Sequence, residues 1–192
     1  MSKLASIVSR RIQVTLKDRT TNINAVYEDT IPTGSSVGTV IAYHGSPGSH
    51  DCFKYVTADL EGSGIRLIGL NYPGFGVTEG YENQGFSNDE RHKYTETLLD
   101  EIVERNVHGL VMICPIGLRP HKGIRPVWFL NGFSAFTNSL PASIGHWLVH
   151  QLYKVIGFRV KSGEEASNCL SSMANVALDG QLPYIQKLNE SK

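Results

Sequence analysis

Histidines, cysteines and glycine-rich turns are the residues of this chain with types and spacings that could do chemistry. His146 and His150 stand four apart on a predicted helix, the spacing that puts two imidazoles on one face for a metal, as in H-E-x-x-H. Trp147 occupies the place where that motif carries its general base, and no third ligand is evident, so no metal is expected and the two rings read as packing or surface groups. Gly74 to Gly80, GFGVTEG, has the composition of a phosphate-cradling loop. Pro73 precedes it, however, the spacing is G-x-G-x-x-x-G, and a polar loop follows where a helix should begin, so neither a dinucleotide nor another cofactor is expected. Cys52, Cys114 and Cys169 are widely spaced, with no C-x-x-C pair, which suits a reducing compartment better than a disulfide framework or a zinc site.

The elements that must position such residues read as follows. Residues 38–43 (GTVIAY) and 65–70 (IRLIGL) are short, rich in β-branched residues and bounded by Gly and Pro. They predict two buried parallel strands joined by a helix from about His50 to Leu60. Upstream, residues 10–16 and 23–28 alternate apolar with polar, the pattern of an antiparallel hairpin at one edge of the sheet. Residues 77–88 are polar and glycine-bearing and predict a loop over the carboxyl ends of the strands. Ser87-Asn88-Asp89-Glu90 is a helix start, with a cap residue followed by acids that complement the helix dipole, and the helix is expected to run to about Glu104. Residues 109–114 (GLVMIC) predict a third buried strand, stopped by Pro115 and pairing directly with 38–43, a placement the right-handed crossover rule permits. From Val127 the period becomes helical, over about 127–138, 141–156, 164–178 and 182–189.

Each of the two central strands runs into a conspicuous turn, His44-Gly45-Ser46-Pro47-Gly48 after the first and Asn71-Tyr72-Pro73-Gly74-Phe75-Gly76 after the second. In these motifs and their separation the chain resembles the α/β-hydrolase superfamily, where an H-G-x-P-G loop helps to build the oxyanion hole and the next strand ends in D-x-P-G-x-G. Asn71 stands in place of the usual Asp. Together with VHGLVMICPIGLRPHKGIRP, the same stretch is similar to a set of uncharacterised nematode-type α/β hydrolases. The resemblance implies a three-layer α/β sandwich with a mostly parallel sheet of about five strands. It implies a hydrolase-like core over residues 1–126, a helical cap over 127–192, and His44, Gly45, Ser46 and Gly48 as the oxyanion loop, with His44 shaping the loop. Asn71, Tyr72, Trp128, Phe129, Phe133 and Trp147 would line a pocket beneath the cap.

The resemblance also implies a nucleophile elbow, G-x-S-x-G, between a strand and a helix. The family order places that unit, about 30 residues long, between the helix ending near Glu104 and the strand beginning near His108, and no elbow is read there. The strands that would supply the acid and the histidine of a triad are not found either. Cys114 is a poor substitute: Met112 and Ile116 are too bulky for an elbow, and Pro115 lacks the N–H an oxyanion needs. Ser134, in GFSAF, has Phe136 where a small residue belongs and sits in helical periodicity. No catalytic residue is assigned, and the chain is expected to be shortened relative to the family.

The 18 basic and 18 acidic residues cancel, and no basic stripe is evident, which argues against nucleic acid or an anionic membrane as partner. No run approaches the roughly 20 apolar residues of a membrane span, and the N-terminus lacks the apolar core of a signal peptide, so a cytoplasmic protein is expected. At 192 residues a single domain with a real core is expected. The function expected is that of a hydrolase-family scaffold inactive as an esterase. The alternatives are non-catalytic binding of a small lipophilic molecule, or hydrolysis of small esters by an unforeseen nucleophile. The uncharged 109–114 run is expected to offer a strand edge for self-association.

Overall fold

A computed structural model describes residues 6–103 and 126–175. They divide into two compact units, one holding Met1–Gln84 and Arg91–Glu101, the other Gly85–Glu90 and Ile102–Lys192.

In the first unit β1 (Ser6–Thr15) and β2 (Thr20–Asp29) form an antiparallel hairpin in which Ile12 faces Ile23 and Thr15 faces Thr20. β1 starts earlier than alternation predicts and ends one residue sooner, at Thr15, while β2 extends past both its expected bounds. Thr20 and Thr21 are polar yet continue the strand, because β-branched residues suit a strand, and Asn22 pairs with Gln13 beside them. The inward residues Ile12, Val14, Ile23, Ala25 and Tyr27 are buried. Next come β3 (Gly38–Tyr43), a 3-10 turn over His50–Phe53, α1 (Lys54–Gly62) and β4 (Ile65–Leu70). The helix therefore starts with a tighter turn than periodicity alone predicts, Ser49 capping it by accepting the Asp51 N–H at 3.2 Å.

The sheet order is β1-β2-β4-β3, with β4 parallel to β3 and antiparallel to β2. The described sheet is thus mixed, not mostly parallel, and has four strands; the strand expected at 109–114 lies outside the described residues. β4, central in this order, is buried from Arg66 to Leu70. β3 is not buried as expected: Val40 is 39% and Tyr43 43% exposed. Among the described residues it is paired on one side only. The β2–β4 pairing is fixed by a buried ion pair, Arg66 donating from Nε to Asp29 Oδ1 at 3.0 Å and from Nη2 to Oδ2 at 2.6 Å. This fork-to-carboxylate geometry is the strong form of such a pair.

Helix α2 (Asn88–Ile102) starts as its sequence predicts. The Ser87 hydroxyl accepts the Glu90 N–H at 3.2 Å while the Glu90 carboxylate accepts the Ser87 N–H at 2.9 Å, a reciprocal capping box. Tyr94 and Leu98, one turn apart, are buried in the first unit. In the second unit α3 (Val127–Ser139), α4 (Ala142–Ile156) and α5 (Gly163–Ala174) pack on one another. Gly157 ends α4 in the left-handed conformation, φ 91°, with Phe158 N–H bonded to Tyr153 O. Among the described residues no helix is long and apolar enough to cross a membrane.

Candidate functional site

The two glycine- and proline-bearing turns of the sequence meet at the carboxyl ends of β3 and β4, where open α/β sheets place their ligands. The imidazole of His44 joins them. Its Nε2 accepts the Tyr72 N–H at 3.1 Å, and its Nδ1 lies 2.6 Å from Gly45 O, so these partners require the Nδ1–H tautomer. Both ring nitrogens serve the backbone and the ring is buried, which makes His44 a residue that shapes the loop. Gly48 completes the turn: a Cβ there would come within 2.8 Å of Gly45 O and 3.1 Å of the His44 side chain. Gly45 and Ser46 are exposed at the crest, and among the described residues no backbone acceptor takes their N–H groups.

Asn71 is the second lock. It is fully buried; Oδ1 accepts the His50 N–H at 2.9 Å, and Nδ2 donates to Val26 O at 2.8 Å. The His50 ring stands beside it, Nδ1 being 3.1 Å from Oδ1 and 3.0 Å from Nδ2. One amide side chain therefore ties the start of the 3-10 turn to β2 across the end of β4. The departure from Asp has a physical reason in this structure, because a carboxylate has no proton to give Val26 O. Gly76, at φ 60°, follows from the same lock, since a Cβ there would lie 2.5 Å from Asn71 Oδ1. The Asn71 carbonyl in turn accepts the Tyr94 hydroxyl at 2.8 Å.

Aromatic rings tile this end of the sheet. Tyr72 packs edge-on to His44, with ring centres 5.3 Å apart, and lies 6.2 Å from both Tyr43 and Tyr94; Phe75 lies 5.6 Å from His44. The Arg91 guanidinium is 5.7 Å from the centre of the Tyr72 ring, a cation–π approach. Although Tyr43 is partly exposed, the burial of the rest of its side chain pushes its phenol up to about 12, with Tyr72 adding to it. Burial also raises Tyr72, against the opposing Thr95 hydrogen bond and Arg91 charge. Tyr94 is raised by burial as well, with a Thr78 hydrogen bond opposing. All three phenols are therefore neutral at physiological pH, able to donate hydrogen bonds but not to act as bases.

Of the residues singled out in the sequence, His44, Gly45, Ser46, Gly48, Asn71 and Tyr72 come together here. Trp128, Phe129, Phe133 and Trp147 belong to the second unit. Ser134 is buried within α3, its carbonyl accepting the Thr137 hydroxyl at 3.1 Å, and Cys114 lies outside the described residues. A literal G-x-S-x-G does stand in the chain, Gly34-Ser35-Ser36-Val37-Gly38. It leads into β3 instead of from a strand into a helix, so it lies one strand length, about 20 Å, from the His44 turn. There Ser35 Oγ bonds Gly64 O and accepts the N–H groups of Val37 and Gly38, which makes this match a strand-entry turn. Tyr43, Thr78, Arg91 and Tyr94 were not signalled by any motif. Thr78, inside the polar stretch after Gly76, accepts the Val26 N–H at 2.9 Å and donates to Val26 O at 3.0 Å, holding that loop to β2.

With the fold and these turns in view, the chain is an α/β-hydrolase-type protein. It belongs to the family described as alpha/beta hydrolases of unknown function (DUF1057), whose sequence model matches residues 4–104 and 102–192. It is 30% identical to an uncharacterised protein of Caenorhabditis elegans over 206 aligned positions, covering 89% of this chain and 58% of that protein. The chain thus spans somewhat over half the length of that relative. Among solved structures it is similar to an esterase from Exiguobacterium antarcticum, with TM-score 0.55, 16% identity, and 92% of this chain and 77% of that one covered. A bromoperoxidase from Bacillus anthracis superposes with TM-score 0.49 at 16% identity, over 91% of this chain and 77% of that one.

Proposed function

We propose that this chain is a hydrolase-family scaffold that keeps the oxyanion-loop architecture at His44–Gly48 but forms no acyl-enzyme by itself. The observation that carries this reading is the break in the family match. The two matched stretches meet at residues 102–104, directly after α2 ends at Ile102. That is where the family order calls for the strand, elbow and helix of the nucleophile. The alignment to the nematode relative also contains positions without a counterpart in this chain, because 206 positions are needed to cover 89% of a 192-residue chain. The excess is of the order of one such unit, roughly 30 residues. On this reading residues 1–126 are the hydrolase-like core and 127–192 a cap segment.

Preformed N–H donors without an activated nucleophile leave little beyond modest transition-state stabilisation. The 192-residue chain should therefore show no saturable turnover of short p-nitrophenyl esters above the uncatalysed rate, and a fluorophosphonate probe should label no serine. Saturable turnover abolished by a single Ser or Cys substitution would overturn this. A second reading, retention of a small lipophilic ligand without turnover, is supported by the aromatic tiling of Tyr43, Tyr72 and Phe75. Saturable binding of a non-hydrolysable short-chain ester analogue, with turnover still absent, is the result that separates it from the first.

A further inference from the structure

Directly after the His44–Gly48 turn the first unit buries a second imidazole, His50, and against it a carboxylate, Glu28, that no hydrogen bond meets among the described residues. Glu28 pairs with Gly69 across β2 and β4. Its Oε2 and the His50 Cβ would lie 3.4 and 3.3 Å from a Cβ on Gly69, so the glycine makes room for both side chains. His50 Nε2 stands 3.6 Å from Asp51 Oδ1, and the other Asp51 oxygen accepts the Ser49 hydroxyl at 3.4 Å. Asp51 is exposed, which leaves Glu28 as the less screened of the two acids beside the ring.

Asn71 lets this ring take up a proton without losing its anchor. Two backbone partners fix the amide, because Oδ1 accepts the His50 N–H and Nδ2 donates to Val26 O. The same edge meets His50 Nδ1 with both atoms, Oδ1 at 3.1 Å and Nδ2 at 3.0 Å, and Nδ2 has a second hydrogen to give. Nδ1 thus finds a donor when it is bare and an acceptor when it is protonated. The acid of the family motif would serve only the second state. Glu28 senses the change: burial raises its carboxyl, a charge on His50 opposes that, and Asp51 adds to it. The other elements packed on the turn bring no further cation to the pair. Lys54 of α1 lies 5.0 Å from the centre of the Tyr55 ring, Arg66 of β4 is forked onto Asp29, β3 ends in the neutral Tyr43, and both nitrogens of His44 serve the backbone.

We propose that Glu28, His50 and Asn71 form a reversible proton site that sets how tightly the 50–53 turn, and with it the Gly45–Gly48 loop, is held to the sheet. In the imidazolium state the turn is drawn onto the Glu28 carboxylate; with the ring neutral that attraction is gone. All three residues belong to the first unit, and the device is independent of whether any ester is turned over.

The test is a double-mutant cycle in the 192-residue chain, read by urea unfolding at about pH 5.5 and about pH 8, near the two ends of the range in which imidazoles titrate. Glu28→Gln keeps the side chain's shape and removes its charge, while His50→Asn places an amide nitrogen near Nδ1 and leaves nothing at Nε2. The two changes should be coupled on the order of tenfold in the unfolding equilibrium constant at the lower pH and uncoupled at the higher. Coupling that is equal at both pH values, as packing alone would give, or absent at both, would overturn the proposal. Should His50→Asn fail to fold, a second measurement decides. In isotope-labelled wild type the Gly48, Ser49 and Asp51 amide resonances should titrate in step with the His50 ring, and their midpoint should move to lower pH in Glu28→Gln. Amides that stay still between about pH 5 and about pH 8, or a midpoint that Glu28→Gln leaves in place, would overturn it equally.

Discussion

Asn71 shows how much one buried amide decides at the residue scale. Its donor meets Val26 O and its acceptor meets the His50 N–H, so restoring the acid of the family motif removes the donor and sets a carboxylate against a carbonyl. Asn71→Asp should cost about 1–3 kcal/mol at neutral pH. Protonation would relieve the clash, which means the folded state raises that carboxyl's pKa; the lost stability should then return as pH falls below the ordinary carboxylate range. Urea unfolding at about pH 4 and about pH 7 checks this, and a pH-independent loss would sink it. Glu28 behaves similarly in the native chain. Burial, and secondarily the charge of Asp51, raises its carboxyl, while His50 opposes them. A raised acid favours folding fully below its unfolded pKa and loses that contribution as pH rises through the folded one. Glu28→Gln should therefore raise the unfolding temperature at neutral pH, with the gain vanishing below about pH 4; a gain that persists in acid would count against it. The turn residues His44, Gly48, Asn71 and Gly76 were legible because their backbone geometry demands particular side chains or none. Thr78, Arg91 and Tyr94 were not, because their partners are 20 or more positions away for Thr78 and Tyr94, and only folding brings the Arg91 cation to the Tyr72 ring.

At the scale of elements, strands and helices with local punctuation were read closely. Pro141 and Gly157 bracket α4, and the Ser87-to-Glu90 box opens α2. The tertiary environment was less legible, since GTVIAY and IRLIGL look alike in sequence, yet only the second is buried through most of its length. Position in the sheet, not composition, makes that difference. The Asp29–Arg66 pair was also missed, for Asp29 ends a strand and Arg66 begins one 37 residues later, with nothing local to couple them. Its energetics can be tested as a cycle. Asp29→Leu would strand a buried guanidinium and should cost about 3–5 kcal/mol, and Arg66→Met should cost a comparable amount. The double variant Asp29→Leu, Arg66→Met should be less destabilised than either single change, because it removes both buried charges together. Additive losses in denaturant unfolding would show that the two side chains act separately.

For the whole molecule, totals proved a poor guide where distribution mattered. A net charge of zero masks an acid-free stretch from 105 to 163, and a family resemblance over most of the chain masks a match that breaks at 102–104. The break bears on association. β3 is paired on one side only among the described residues, and the run that follows the break, Gly109 to Cys114, is uncharged, free of proline and rich in β-branched residues. Such a run is a strong candidate to pair with another strand, within the chain or from a second one, because unpaired N–H and C=O groups are costly to leave unmet and easily matched. A lysine in its middle discourages association between chains by charge and desolvation, at the edge where natural sheets often use one. We therefore expect the wild-type chain to show a mass above monomer that grows with concentration in light scattering after gel filtration. Met112→Lys should shift it towards monomer with an unchanged far-UV circular dichroism spectrum. A wild type that stays monomeric at high concentration would refute association through this run, and a Met112→Lys protein that unfolds would place the run inside the chain's own core.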